Sequence, residues 1–160
     1  MPGIDKAKLD KYRSGEIKFV QIFNINAQQV ASLLIVGHNF YSQGRLNEAQ
    51  AIFEGLAVLD ATNPYLHNIL GAIFQRKKEY NKALLRYTLA IELLPDDIDA
   101  FANRGEVYLA IGKFLEASND FKKAIELDAD GREPSANRAR MLATLAAERL
   151  ASLTAAQVAN

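Results

Sequence analysis

The sequence predicts an all-α fold, a solenoid of three stacked helical hairpins with an N-terminal extension and a helix closing the C-terminal end. Three observations carry that expectation. The stretch "GHNFYSQGRLNEAQAIF", Gly37 to Phe53, returns thirty-four residues later as "GAIFQRKKEYNKALLRY", Gly71 to Tyr87. A fixed period of this length marks a repeat architecture. Within each copy the apolar residues recur every three or four positions, which puts them on one helix face. Asn, Asp, Pro and Gly fall between the periodic stretches, where helices start and stop.

The register divides the chain into an extension over 1–29, three units over 30–63, 64–97 and 98–131, and a closing segment over 132–160. Gly37, Gly71 and Gly105 share one position, as do Phe40, Phe74 and Tyr108. Leu46, Tyr80 and Phe114 align, and so do Ala49, Ala83 and Ala117. Phe53, Tyr87 and Phe121 follow, then Leu56, Ala90 and Ala124. Small residues at fixed sites let two helices approach, and aromatic residues fill the space between them. One hairpin cannot bury its apolar face alone, whereas stacked hairpins can.

Taken in order, "IDKAKLDKYR" predicts a short helix with Ile4, Leu9 and Tyr12 apolar. The next segment, Ile17 to Ile25, carries Phe19, Val20, Ile22 and Phe23 and fits a strand or a helix equally. Its apolar groups need burial, on this solenoid or on another chain. Asn26 with Gln29 forms a capping box before the first unit. The stripe Leu33, Val36, Gly37 and Phe40 gives one helix, "SQGRLN" a turn, and Ala49, Ile52, Phe53 and Leu56 a second helix. Asn63 before Pro64 is a helix start. Pro95 closes the second unit and Asp96 or Asp97 caps the third. Gly44 and Gly112 share a turn position that Lys78 fills in the middle unit. From Pro134 to about Ser152, Ala136, Ala139, Leu142, Leu145, Ala146 and Leu150 predict a helix that covers the last hairpin. The tail "LTAAQVAN" is expected to fray.

Composition narrows the chemistry. There is no cysteine, so disulfides, thiolate metal sites and a cysteine nucleophile are excluded. Nineteen basic residues balance nineteen acidic ones, which speaks against a general nucleic-acid binder. The start carries no long apolar run, and the longest such stretch, Ala31 to Gly37, is too short to span a bilayer. A soluble cytoplasmic protein is expected. His38 and His67 sit at different repeat positions without zinc-ligand spacing. No phosphate loop or serine elbow is present. "DADG", Asp128 to Gly131, and "RKK", Arg76 to Lys78, read as solvated turns. No enzyme activity, metal or cofactor is expected, which leaves binding.

The period and its residue set resemble the tetratricopeptide repeat over residues 30 to about 131. The resemblance implies that the first helix of each unit lines an inner surface. The residues expected there are Leu34, His38 and Tyr41, then Tyr65, Asn68, Ala72 and Gln75, then Ala102, Glu106 and Leu109. Apolar and aromatic groups beside a few amides suit an extended peptide, with Asn68 and Gln75 placed to hold its backbone. The carboxylate clamp of some tetratricopeptide proteins would fall on Leu34, His38, Ile69, Asp99 and Asn103, where none of the clamp's own residues stands. An adaptor for Hsp70 or Hsp90 C-termini is therefore not expected.

A narrower resemblance covers nearly the whole chain. "LLIVGHNFYSQGRLNEAQAIFEGLAVLD" is similar to the first repeat of the SycD/LcrH group, the class II chaperones of type III secretion. "YLHNILGAIFQRKKEYNKALLRYTLAI" is similar to that group's second repeat, in Leu70, Gly71, Ala72 and Gln75. "SGEIKFVQIFNINAQQV" resembles its Gly-started apolar lead-in. The resemblance implies a bacterial cytoplasmic chaperone for the translocator proteins of a type III secretion system. An extended client segment would lie in the groove, anchored at Leu34, Tyr41, Tyr65, Ile69, Ala72 and Leu109. It further implies a homodimer through Phe19, Val20, Ile22 and Phe23. The alternative is a general repeat adaptor or scaffold for protein assembly.

Overall fold

A computed structural model describes residues 6–16 and 25–158, and among them every regular element is a helix. The short α1 spans Lys6–Arg13. Three hairpins follow: α2 (Ala27–Ser42) with α3 (Leu46–Leu59), α4 (Pro64–Arg76) with α5 (Tyr80–Leu93), and α6 (Ile98–Ala110) with α7 (Phe114–Leu127). The closing helix α8 runs Pro134–Val158, so the tail expected to fray continues the helix. The segment holding Phe19, Val20, Ile22 and Phe23 lies outside the described residues.

The shared small and aromatic positions form one joint, made three times. A Cβ added at Gly37 would meet the Phe53 ring at 2.9 Å, at Gly71 the Tyr87 ring at 2.6 Å, and at Gly105 the Phe121 ring at 2.6 Å. Each ring is fully buried against the glycine of its own hairpin. Only a residue without a side chain lets the two helices close on a ring of that size. Ala49, Ala83 and Ala117, also fully buried, are the small partners on the second helices.

The three hairpin turns share a backbone solution. Arg45, Glu79 and Lys113 donate their N–H to the carbonyls of Phe40, Phe74 and Tyr108 at 2.9 Å each. Gly44, Lys78 and Gly112 donate to Tyr41, Gln75 and Leu109. This double closure is the Schellman motif, which requires positive φ at the middle residue. Gly44 and Gly112 adopt φ 77°, and Lys78 is held at 61°, a conformation that costs a side-chain-bearing residue about 1 kcal/mol. The first helices start as the sequence predicts. Asn26 and Gln29 close a capping box, Asn63 accepts from the Tyr65 N–H, and Asp97 rather than Asp96 accepts from the Ala100 N–H.

Two apolar clusters support the stack. One joins α2 to α5 through Phe53, Leu56, Leu66, Leu70, Ile73, Phe74 and Tyr87 and reaches Val107. The other is alanine-rich and packs α6, α7 and α8 through Ala102, Phe121, Ala124, Ala139 and Ala146. Leu33 and Val36, expected in the first core stripe, are 39% and 41% exposed, and Val30, Leu34 and Tyr41 pack inward with Gly37 instead. Among the described residues α2 opens the stack: it packs on α3, and His38 and Tyr41 reach α4, so the stripe is rotated toward those contacts.

A buried ion pair ties the third hairpin to the second. Arg104 grips Asp120 with two bonds of 2.8 Å and donates to the Thr88 hydroxyl at 3.0 Å. Burial works against the Arg104 charge, and Asp120 more than offsets it, so the guanidinium is held above its ordinary value. Asp128, expected in a solvated turn, is buried. It accepts from Arg140 and from the N–H groups of Arg132 and Glu133, which hold its carboxyl below the usual range and tie α8 to the end of α7.

Candidate functional site

The first helices α2, α4 and α6, joined by the start of α8, present two clefts that share Tyr65 as a wall. Tyr65 sits in the first turn of α4, fixed by the Asn63 cap, and is 44% exposed. Its hydroxyl is hydrogen-bonded to His38 Nε2, and the His38 ring stands edge-on to Phe53 at 5.3 Å. Partial burial pushes the Tyr65 phenol above its usual value, so it stays a neutral hydrogen-bonding group.

The first cleft, about 200 Å³, is almost wholly apolar. Val30, Leu34, Leu56, Leu59, Leu66 and Tyr65 line it, with Asp60 and Asn63 at the rim. It lies where the end of the first hairpin meets the start of the second. Of the expected groove residues only Leu34 and Tyr65 are in it. Its remaining apolar walls, Val30, Leu56, Leu59 and Leu66, belong to the first core cluster, and a reading limited to first helices passes over Leu56 and Leu59 on α3.

The second cleft, about 290 Å³, is mixed. Tyr65, Ile69 and Ala72 give its apolar side, and Asn68, Asp99, Asn103, Ser135 and Arg138 its polar side. Asn68 Nδ2 donates to Asp97 at 3.3 Å and its Oδ1 accepts from Asn103 at 3.3 Å. Gln75 Oε1 accepts from the buried Tyr87 hydroxyl at 2.7 Å, and Nε2 donates to Glu106 at 3.3 Å. Arg138 closes the floor, donating to Glu106 and to Asn103 at 3.0 Å each, and Asp99 accepts from the Ser135 hydroxyl. Burial, then the charge of Asp99, pushes the Asp97 carboxyl above the usual range.

Six expected groove residues line neither cleft: His38 and Glu106 bond to the lining residues Tyr65 and Arg138, Gln75 bonds to Glu106, and Ala102, Leu109 and Tyr41 stand elsewhere. Ala102 is fully buried among Ala117, Phe121 and Ala139, so it supports the floor and offers no surface. Leu109 packs against the same cluster. Tyr41 lies beneath Arg76, whose guanidinium is 4.7 Å from the ring centroid and donates to the Tyr41 carbonyl at 2.7 Å. That contact and the bonds of Lys77 to Gln50 and Glu79 make "RKK" an internally paired turn. His67 is also structural. The Ala61 carbonyl at 2.8 Å can only accept and the Arg86 guanidinium at 3.3 Å can only donate, so the ring carries its proton on Nε2. No group of three or more metal-ligating side chains occurs among the described residues.

A tetratricopeptide-repeat model matches residues 98–130. The chaperone protein SicA of Salmonella typhimurium is 31% identical over 126 residues, 79% of this chain and 74% of SicA. The chain belongs to the class II chaperones of type III secretion. Solved structures agree on the fold. A type III secretion complex from Aeromonas hydrophila superposes with a TM-score of 0.79 over 91% of this chain and 97% of that one, at 22% identity. PcrH, solved with the chaperone-binding region of PopD, superposes with a TM-score of 0.74 over 79% of this chain and 96% of PcrH, at 26% identity. Among the described residues, no helix of this chaperone is long and apolar enough to cross a membrane.

Proposed function

We propose that this chaperone holds an extended, apolar-anchored segment of a translocator protein across its two clefts in the bacterial cytoplasm. The observation that carries the reading is the pair of adjoining clefts on the face built from α2, α4, α6 and α8. The first is a side-chain-sized apolar recess walled by Leu34, Leu59 and Tyr65. A leucine-sized anchor filling it would gain roughly 1.5–3 kcal/mol from burial. Ile69 and Ala72 extend the apolar strip into the second cleft, where amides flank it. Such a surface masks a client's apolar groups by mass action and requires no nucleotide. The PcrH complex supports the reading, because a chaperone of this fold was solved with a client's chaperone-binding region.

The test is co-expression with a translocator from the same genome, followed by affinity purification. A soluble, stoichiometric complex is expected. A client that stays insoluble beside soluble chaperone sinks the reading. The homodimer belongs to the same proposal, with Phe19, Val20, Ile22 and Phe23 supplying the contact. Light scattering on a chain lacking residues 1–25 should then report a monomer, and a persisting dimer removes that interface.

A further inference from the structure

We infer that Arg138, on the closing helix, is a positioning residue for the client groove, setting the direction of the amides on its floor. The inference rests on the groove reading above.

Arg138 is half exposed, yet it organises groups it does not touch. Its Nε donates to Glu106 and its Nη2 to Asn103, both at 3.0 Å. From Asn103 one branch continues through Asn68 to Asp97, the cap of α6. From Glu106 a second branch continues through Gln75 to the buried hydroxyl of Tyr87. The branches run across four helices, α8, α6, α4 and α5, and end in the core and at a helix start. An amide can turn either its oxygen or its nitrogen toward a neighbour, but a guanidinium only donates and a carboxylate only accepts. Arg138 thus obliges Asn103 to turn its oxygen toward α8 and its nitrogen toward Asn68. Asp97 at the far end demands a donor from Asn68. The two ends agree, and each amide is left with one orientation.

The consequence falls on the client. With one bond already on each amide oxygen, and beside the Asp99 carboxylate, what Asn68, Asn103 and Arg138 turn to the groove is chiefly donor capacity. It comprises the second N–H of Asn68 and of Asn103, and Nη1 of Arg138, for which no protein acceptor stands among the described residues. These groups line the same cleft as Ile69 and Ala72. They suit the main-chain carbonyl oxygens of an extended client whose side chains reach the apolar wall. Without Arg138, Asn103 keeps only its bond to Asn68 and can turn its oxygen to the groove, where it repels those carbonyls, while Asn68, still oriented by Asp97, loses the donor on its own oxygen.

The experiment compares wild type with R138A, R138K and the surface control R132A. Two signals are read: the side-chain amide resonances of Asn68 and Asn103 in the chaperone alone, and its affinity for a labelled peptide of the PopD chaperone-binding region. In R138A the Asn68 resonances should shift and exchange faster although Arg138 makes no contact with Asn68, and affinity should fall about tenfold. R138K should resemble R138A more than wild type, because an ammonium lacks the planar fork that spans two acceptors. R132A should match wild type in both. Unmoved Asn68 resonances in R138A and R138K overturn the inference, as does unchanged peptide affinity when wild type binds. If wild type does not bind this peptide, the groove reading fails for that client and the amide spectra alone decide the role of Arg138. Should R138A not fold, the same readouts on R138K decide.

Discussion

On one side of Tyr65 the cleft is walled by Val30, Leu34, Leu56, Leu59 and Leu66; on the other it is floored by Asn68, Asn103 and Arg138 with Ile69 and Ala72 at its edge. The first side attracts by burial, which is strong but nearly indifferent to direction. The second works through hydrogen bonds, which are weaker in net energy but require donors to meet acceptors in register. On the proposed reading, one half anchors a greasy side chain and the other aligns the chain that carries it. Such a division tolerates different clients, since an extended backbone presents the same carbonyls whatever its side chains.

The comparison can be broken first at the frame both clefts share. Gly71 lies on α4, the helix that lines both clefts, and its replacement by alanine drives a Cβ into the fully buried Tyr87 ring. Overpacking of this kind should cost about 2 kcal/mol of stability, seen as a lower urea midpoint. An unchanged midpoint would mean the hairpin can open without penalty, and then neither cleft has a fixed width. A sharper test sets the halves against each other. Tyr65→Ala should weaken client binding by about 2 kcal/mol, as loss of an aromatic anchor does, while Asn68→Ala should cost about 1 kcal/mol. Titration calorimetry on both variants checks the order, and a larger effect from Asn68 reverses the assignment of anchor and aligner.

The smallest expected effect concerns the acidic end of the polar half. Burial and the nearby charge of Asp99 hold the Asp97 carboxyl above the usual range. The folded state therefore binds that proton more tightly than the unfolded chain, and the strain is fully present above the raised value and gone below the unfolded one. Asp97→Asn keeps a good helix cap and removes the charge. Its thermal midpoint should be equal to or slightly above wild type at neutral pH. That gain should vanish as pH falls through and below the ordinary aspartate range. A gain that grew toward acid pH would contradict the assignment.

How much of this was legible in the sequence follows from which contacts have a period. The pairs Gly37–Phe53, Gly71–Tyr87 and Gly105–Phe121 repeat at one spacing, so the hairpins and their joints could be read directly. The caps at Asn26, Asn63 and Asp97 could be read because capping is local chemistry. The polar floor could not. Asn68 meets Asn103 and Asn103 meets Arg138 at the same spacing of 35, and Gln75 and Arg138 both meet Glu106, but the side-chain types change at each step, so no repeated residue marks the contact. Helix rotation also hid two facts, the burial of Ala102 and the turning of Leu33 and Val36 to solvent. One signal was available and passed over. Ala139 continues the thirty-four-residue register of Gly37, Gly71 and Gly105, and it is buried as they are. It marks α8 as a fourth first-type helix that adds to the inner face as well as closing the stack.

The most direct test of the client site is photo-crosslinking from single benzophenone side chains, one at Ala72 in the groove and one at Leu85, exposed on α5. Each variant is co-expressed with the translocator and irradiated. Crosslinks from Ala72 and none from Leu85 are expected. Crosslinks from Leu85 with a silent Ala72 would place the client on the other face and contradict the account.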